Sequence, residues 1–453
     1  MWKRIEQFKI LRKANREVRQ YRHQSGGPRF TADIDPAEMK IYDVFLGVDK
    51  AVAMLSARRV FVYASVLALL THIIILALYI HVPRFRESPG EDFVQFYGAA
   101  VLSGEQPDKI YDSQSQMDIQ KQFSAGARNG IYWPYLHAPF FTVLLMPLRW
   151  FSYVGAFWVW TLFTITLYFV SVVLLIRSAT IRQPPLAASL AVAGAAPVLY
   201  WLILTGQTTA IALFIWTMAY RFMQQGRFYW SGFVLGFLSY RAQYLSVILP
   251  LLVLRRMWPG IFGFSASFLS LIVLGGLIFS FDSYWQYIEA VGQQAGRIEN
   301  LTQPLSHYVT AYGFFRQLLP PVWALWGVGL ASSILIYWLW KVWNGVVDFQ
   351  SGMFDLRYAS LLTTTLLLMY HGFVYDLLLL TIPAVLLYQY RSLLSPHYLF
   401  VLLFLYLAPY MLLIFRGQFL INPIQPALMF LCFEIYRVSK KLRLRAADSK
   451  YEQ

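Results

Sequence analysis

The 453-residue chain is 58% hydrophobic and 18% aromatic, with only 13% charged residues against the roughly 25% usual in a soluble domain. That much apolar surface exceeds what one water-soluble core can bury, and the mean hydropathy of +0.49 agrees; a soluble enzyme is excluded and an all-α membrane protein of many spans is expected. The net charge of +15 sits in the tails and in short loops between apolar runs, so it points to an anionic leaflet and not to nucleic acid. The single cysteine, Cys432, rules out an intrachain disulfide framework or a cysteine metal site.

Residues 1–59 form a basic arm carrying Lys3, Arg4, Lys9, Arg12, Lys13, Arg16, Arg19, Arg22, Arg58 and Arg59. No apolar core of a signal peptide precedes position 60, so no cleaved leader is expected. Within the arm, 36–57 spaces Met39, Val44, Phe45, Val48, Val52 and Leu55 in a helical pattern. This reads as a helix lying on anionic lipids or packed against the protein's own cytoplasmic side.

The transmembrane part is expected over 60–436. Residues 60–82 cross first, from the cytoplasm outward, and 83–135 then make an external loop with short juxtamembrane helices. Later apolar runs near 136–148, 152–176, 186–204, 208–220, 228–254, 259–280, 321–340, 358–370, 374–389, 398–415 and 419–436 bring the expected total to about 11 to 13 spans. The basic tail 437–453 is expected in the cytoplasm. Counting back from it places Arg416 to Gln418 outside, Arg391 inside, 370–376 outside, 341–357 inside, a second external loop at 281–320, and Arg255/Arg256 inside.

Between 136 and 254 the preferred reading breaks the chain twice. Pro139 and Pro147 shorten the first run to a half-inserted helix, and 228–254 forms a hairpin around Tyr240-Arg241-Ala242-Gln243. The alternative is one helix with Arg241 buried in the bilayer, which costs about 2.5 to 3.5 kcal/mol without a partner.

Four polar groups meet on the external face in this topology. The first is Asp92 with Tyr97 in Glu91-Asp92-Phe93-Val94-Gln95-Phe96-Tyr97, where the carboxylate reads either as a helix N-cap or as a general base. The second is the aromatic stretch holding Tyr132, Trp133, Tyr135 and His137, an interfacial belt or a platform for an acceptor sugar. The third is Gln207, in the helix break Thr205-Gly206-Gln207-Thr208-Thr209, joined by Arg241 and Gln243. These can hold a phosphate oxygen, or Gln207 can satisfy backbone groups freed by the break. The fourth is His371 and Asp376 around the turn Tyr370-His371-Gly372, with His307 in the same neighbourhood. It reads as a plain turn, a proton-transfer or phosphate site, or, least favoured, a metal site.

In chain order, D-F-x-x-F-Y-x-A-A, Y-W-P-Y followed by A-P-F and M-P-L, the G-Q break, G-x-x-x-G-F before Y-R-A-Q, and H-G-F-V-Y-D resemble glycosyltransferase family 87. The likeness runs over about 60–435. It implies the C-type fold of integral-membrane glycosyltransferases and a catalytic aspartate in the first external loop, which maps to Asp92. It also implies a polyprenyl-phosphate sugar as donor, transfer with inversion, and a late histidine that maps to His371. Where such proteins usually carry a lysine after the G-x-x-x-G helix this chain has Arg241, and a proline that often follows is Ala242. The charge survives that exchange but the donor geometry does not.

The expected activity is therefore transfer of mannose or another single hexose or pentose to a lipid-linked glycan at the periplasmic face of the plasma (inner) membrane. Asp92 is the base, Arg241, His371 and Gln207 hold the leaving phosphate, and neither metal nor cofactor is required. The alternatives are a transporter or flippase of polyprenyl-linked sugars that does no chemistry, and an enzyme moving another lipid-borne group.

Overall fold

The apolar runs form helices. Among the described residues of this computed structural model there is no strand, and the one extended contact is an antiparallel bridge between Tyr308 and Phe373. The structure describes residues 89–453 except 180–183, 296–304, 392, 396, 415–421 and 452–453, together with scattered helical positions between 62 and 77. The expectations for the basic arm, most of the first span and the turn at Arg416 to Gln418 fall outside the described residues.

Two helices, α1 (Phe93–Glu105) and α2 (Ser113–Phe123), build the first loop. α2 starts at Asp112, whose Oδ2 accepts the Ser115 N–H at 2.7 Å. A short α3 (Pro139–Leu145) with proline in its first turn precedes the long α4 (Tyr153–Ser178), the division that the prolines predict. α5 (Leu186–Gly194) and α6 (Pro197–Thr205) meet at 50°, because Pro197 has no N–H with which to continue the ladder. Gly206 then adopts φ +70°, closing α6 in the left-handed conformation that glycine tolerates, and α7 (Thr209–Gln224) follows.

α8 (Phe228–Gly236) runs on through 3-10 turns to Leu245, and α9 (Ile248–Leu254) leaves at 105°. The chain therefore bends, as the hairpin reading requires, but at Ser246-Val247, beyond Gln243. Arg241 has non-helical backbone angles (φ −135°, ψ 77°), which the single-helix alternative does not allow, and is buried within the protein.

α8 packs on α10 (Trp258–Phe279) through small residues. A Cβ on Gly232 would lie 1.7 Å from the Gly260 carbonyl oxygen, and one on Gly236 1.8 Å from Ser267 Oγ. The G-x-x-x-G-F element is thus a seam that lets two backbones touch, and it aims the hairpin carrying Arg241.

The rest is α11 (Asp282–Ala295), α12 (Ala311–Leu318), α13 (Pro321–Trp343), α14 (Gly352–Leu368), α15 (Thr381–Leu387), α16 (His397–Ile414) and α17 (Ile424–Tyr451). α4, α10 and α13 are each long and apolar enough to span a membrane alone, and the two bent pairs raise the count among the described residues to five. That is fewer unbroken spans than the apolar runs in the sequence, since prolines and glycine turns divide several runs into short helices. Large apolar side chains face outward on α10 and α13, including Phe262, Leu277, Trp323 and Trp326. Such a surface suits lipid and not water. The interior is aromatic, with Tyr220 stacked on Phe354 at 5.5 Å and the Tyr358 hydroxyl bonded to the Trp216 carbonyl at 2.7 Å.

Candidate active site

Asp92 occupies the N-cap position of α1 but makes no capping hydrogen bond. Its place comes from the end of α6, whose last carbonyls have no partners within their own helix. The Glu91 and Asp92 amides donate to the Leu204 and Thr205 carbonyls at 3.3 and 3.1 Å, and Trp160 Nε1 donates to Gly206 O at 2.8 Å. This mutual capping brings residues 91–92 beside the G-Q break. Gln207 Nε2 then donates to Asp92 Oδ2 at 2.6 Å. The amide orients the carboxylate. Gly90 (φ +78°) completes the loop, and a Cβ there would strike Phe93 and Phe157 at 2.6 and 2.8 Å.

Burial pushes the Asp92 carboxyl up from its ordinary 3.8 to about 6; the Gln207 bond opposes this, the Glu91 charge adds to it and the Arg241 charge opposes it. A carboxylate that loses its proton near 6 is ionised at neutral pH and basic enough to accept a hydroxyl proton as a bond forms.

Arg241 is 8% exposed and Asp376 fully buried. Their side chains pair at 3.2 Å from Nη1 to Oδ1. The same Oδ1 accepts from the Tyr244 hydroxyl at 2.5 Å and from Thr209 Oγ1 at 3.0 Å, while Oδ2 accepts the Phe373 N–H at 2.9 Å. Asp376 is therefore fully engaged by protein donors and anchors Arg241 instead of facing a substrate. Arg241 Nη1 also donates to the Tyr244 hydroxyl at 2.8 Å, and the guanidinium carbon lies 5.7 Å from the centre of the Tyr375 ring. Because Asp376 neutralises the arginine, what Arg241 offers a phosphate is directed N–H donors, with little net charge.

Gln243 Nε2 donates to the His371 carbonyl at 2.7 Å and ties the hairpin to the late turn. Val309 N donates to Gly372 O at 2.9 Å from the other side, and the His371 ring stands edge-on to Tyr308 at 5.5 Å. Burial first, and the Arg241 charge second, push His371 down to about 3. His371 is therefore a neutral imidazole at physiological pH, so it can help to hold a leaving phosphate by a hydrogen bond and not by positive charge. His307 packs on Trp201 at 5.6 Å with its buried Nε2 unpartnered, and burial lowers its pKa too.

Several expected ligand-binding groups also make bonds within the fold. The Tyr97 hydroxyl donates to the Phe151 carbonyl at 2.8 Å, inside a cage that includes Phe123 and Tyr153. Tyr132 donates to Gln116 Oε1 at 2.8 Å, the Trp133 main chain is clasped by Gln120, and Tyr135 is buried against Thr142 at 2.9 Å. These three aromatics hold the loop together. His137 differs. Both ring nitrogens are buried without a partner, and the ring lies 5.8 Å from Tyr240 and 5.0 Å from Phe141. A buried nitrogen without a partner is costly, so a polar group of a ligand would be favoured beside either one.

Reading the sequence missed Tyr244, Tyr375 and the anchoring role of Thr209. The spacing of Arg241 and Tyr244, three residues apart, was the one available signal. Among the described residues no group of three or more His, Cys, Asp or Glu side chains is arranged to hold a metal ion.

The profile of glycosyltransferase family 87 matches residues 135–370, a little more than half of the chain. The matched stretch contains Gln207, Arg241, Gln243 and His307. Asp92 precedes it, and His371 and Asp376 follow its end. No curated protein and no solved structure matches the chain.

Proposed function

The chain belongs to glycosyltransferase family 87, and from that premise and the site geometry we propose that it moves one sugar from a polyprenyl-phosphate donor to a lipid-linked glycan at the external face of the membrane, with inversion. The observation that carries the reading is the buried Asp92 carboxylate, oriented by Gln207 and within electrostatic reach of Arg241.

In the proposed step Asp92 takes the proton of an acceptor hydroxyl as that oxygen attacks the anomeric carbon. The bond from carbon to the phosphate oxygen breaks, and polyprenyl phosphate leaves. One negative charge passes from Asp92, which becomes neutral, to the phosphate, which goes from one charge to two. The total charge of the site is unchanged. A neutral Arg241–Asp376 pair therefore suffices, because its task is to offer the departing oxygens preset donors in a partly dry setting. His371 supplies a further neutral donor, and His137 with Tyr240 and Phe141 forms the surface against which a sugar rests. Sugar identity, mannose or another hexose or pentose, follows from contacts with that surface.

The test is radiolabel transfer from a polyprenyl-phosphate sugar to extracted lipid by native protein and by Asp92→Asn. Equal transfer by both removes Asp92 from the chemistry. In the same assay Arg241→Ala is expected to weaken donor binding more than acceptor binding, and the reverse result reassigns that residue.

A further inference from the structure

Three arginines converge on the C-terminus of α13, at the end of the molecule away from Asp92. Arg357, in the first turns of α14, donates from Nε to Val342 O at 3.1 Å, from Nη1 to Val346 O at 3.0 Å and from Nη2 to Asn344 O at 2.9 Å. Arg443 of α17 donates from Nη2 to the same Val342 carbonyl at 2.6 Å. Arg255, just past α9, donates from Nη2 to Gly345 O at 2.6 Å.

A helix C-terminus has carbonyls without partners and about half a negative charge, which one cation satisfies. Here three full positive charges meet that half charge, and among the described residues none of the three is paired with a carboxylate. The acids nearby in the chain make no direct contact with these arginines: Asp348 Oδ1 accepts the Gln350 N–H, Asp355 bonds the neutral Tyr220 and Gln389 side chains, and Glu434 pairs with Arg437 at 2.8 Å. Burial, then the charges of Arg443 and Arg255, push Arg357 down to about 10, as expected for cations crowded without a counter-ion.

Outward-facing apolar side chains flank two of these arginines and the end of α13: Leu254, next to Arg255, is 78% exposed, Leu444, next to Arg443, 57%, and Trp340, in the last turn of α13, 55%, whereas Leu356 and Tyr358 beside Arg357 are buried. A ligand that satisfies both features has an anionic head and an apolar body.

We propose that the Arg255–Arg357–Arg443 cluster binds the phosphate of an anionic membrane lipid, whose acyl chains lie along the neighbouring apolar side chains. Basic pockets between membrane helices have the charge and the setting for such headgroups. The helices it gathers lead to the other site. α14 runs about 17 Å from Arg357 to Leu368, just before His371, at 1.5 Å per residue. α9 begins at the hairpin bend just after Arg241 and Tyr244. A bound lipid thus braces the helices that hold the donor-binding side chains.

The full chain in detergent is titrated with phosphatidylglycerol, with phosphatidylcholine and, in a parallel arm, with millimolar inorganic phosphate, and retention is read by native mass spectrometry. The variant is Arg255→Gln with Arg443→Gln, which leaves buried Arg357 and its three carbonyl bonds in place. Phosphatidylglycerol retention is expected to fall about thirtyfold in the double variant, since each cation near the surface contributes about fivefold. Phosphatidylcholine retention is expected to stay low and unchanged. Equal phosphatidylglycerol retention by the two folded proteins overturns the proposal. Displacement of the lipid by inorganic phosphate overturns the lipid assignment in favour of a soluble anion. Where the double variant melts early, Arg443→Lys and Arg443→Gln replace it: retention kept by lysine and lost with glutamine supports the site, and equal loss in both overturns it.

Discussion

Two buried arginines at opposite ends of the bundle solve the same problem differently. Arg241 is paired through Nη1 with a carboxylate that three further protein donors fix, so its charge is cancelled while Nε and Nη2 are not spent on that carboxylate. Arg357 has each of its three nitrogens bonded to a main-chain carbonyl, so every nitrogen has a partner while its charge is not cancelled. Satisfying hydrogen bonds and neutralising charge are separate requirements of a buried cation. The first arrangement suits directed contact with a reacting phosphate. The second suits attraction of an anion that stays bound.

The sharpest test of the first region is Asp92→Asn, expected to lower kcat on the order of 10² to 10⁴ in single-turnover transfer. Next in size is Asp376→Asn, which leaves Arg241 buried without its counter-charge. A stability loss of about 3 to 5 kcal/mol is expected in denaturant or thermal unfolding, largely recovered when Arg241→Gln is added. An unchanged melting curve for Asp376→Asn would mean that the two arginines are not held differently after all.

The raised pKa of Asp92 gives a third test. Its folded value of about 6 lies above its ordinary 3.8, so the folded state holds the proton more tightly than the unfolded chain. The stability this provides is full below about 3.8 and is lost as pH rises through about 6. At neutral pH the ionised carboxylate therefore destabilises the fold, by up to about 3 kcal/mol. Asp92→Asn should then melt higher than the native protein at pH 7 and lose that advantage near pH 4. A variant that is both inactive and less stable at pH 7 would assign Asp92 a structural role.

The smallest expected effect belongs to Gln207→Ala. Removing the bond that favours the carboxylate moves the acid limb of kcat/KM from about 6 to higher pH and lowers the plateau by about tenfold, on the scale of one positioned hydrogen bond to a charged group. A limb that stays in place would detach Gln207 from the base.

The class of molecule was legible in composition alone, because an apolar fraction this high has no soluble solution. The candidate residues were legible as polar groups in apolar surroundings, and Arg241 does lie within electrostatic reach of both Asp92 and His371. Their roles were not legible. Gln207 could be an anion ligand or a break-filler until the capping of α6 by residues 91–92 placed it on Asp92. Tyr97 read as a substrate contact, and Tyr132 and Tyr135 as a platform, because the local sequence cannot tell whether an aromatic hydroxyl faces a ligand or a neighbouring carbonyl, amide or hydroxyl.

By itself, then, the sequence determined that the chain folds as helices in lipid, where prolines and glycines interrupt them, and which ionisable groups the membrane interior would not tolerate unpaired. Those are local properties of each residue and its near neighbours. The tertiary structure decided the partners, bringing Asp376 to Arg241 across 135 positions and Gln207 to Asp92 across 115. Whether a buried charge is cancelled, shared or left to attract a ligand depends on groups a few ångströms away in space, and Coulomb's law takes no account of their distance along the chain.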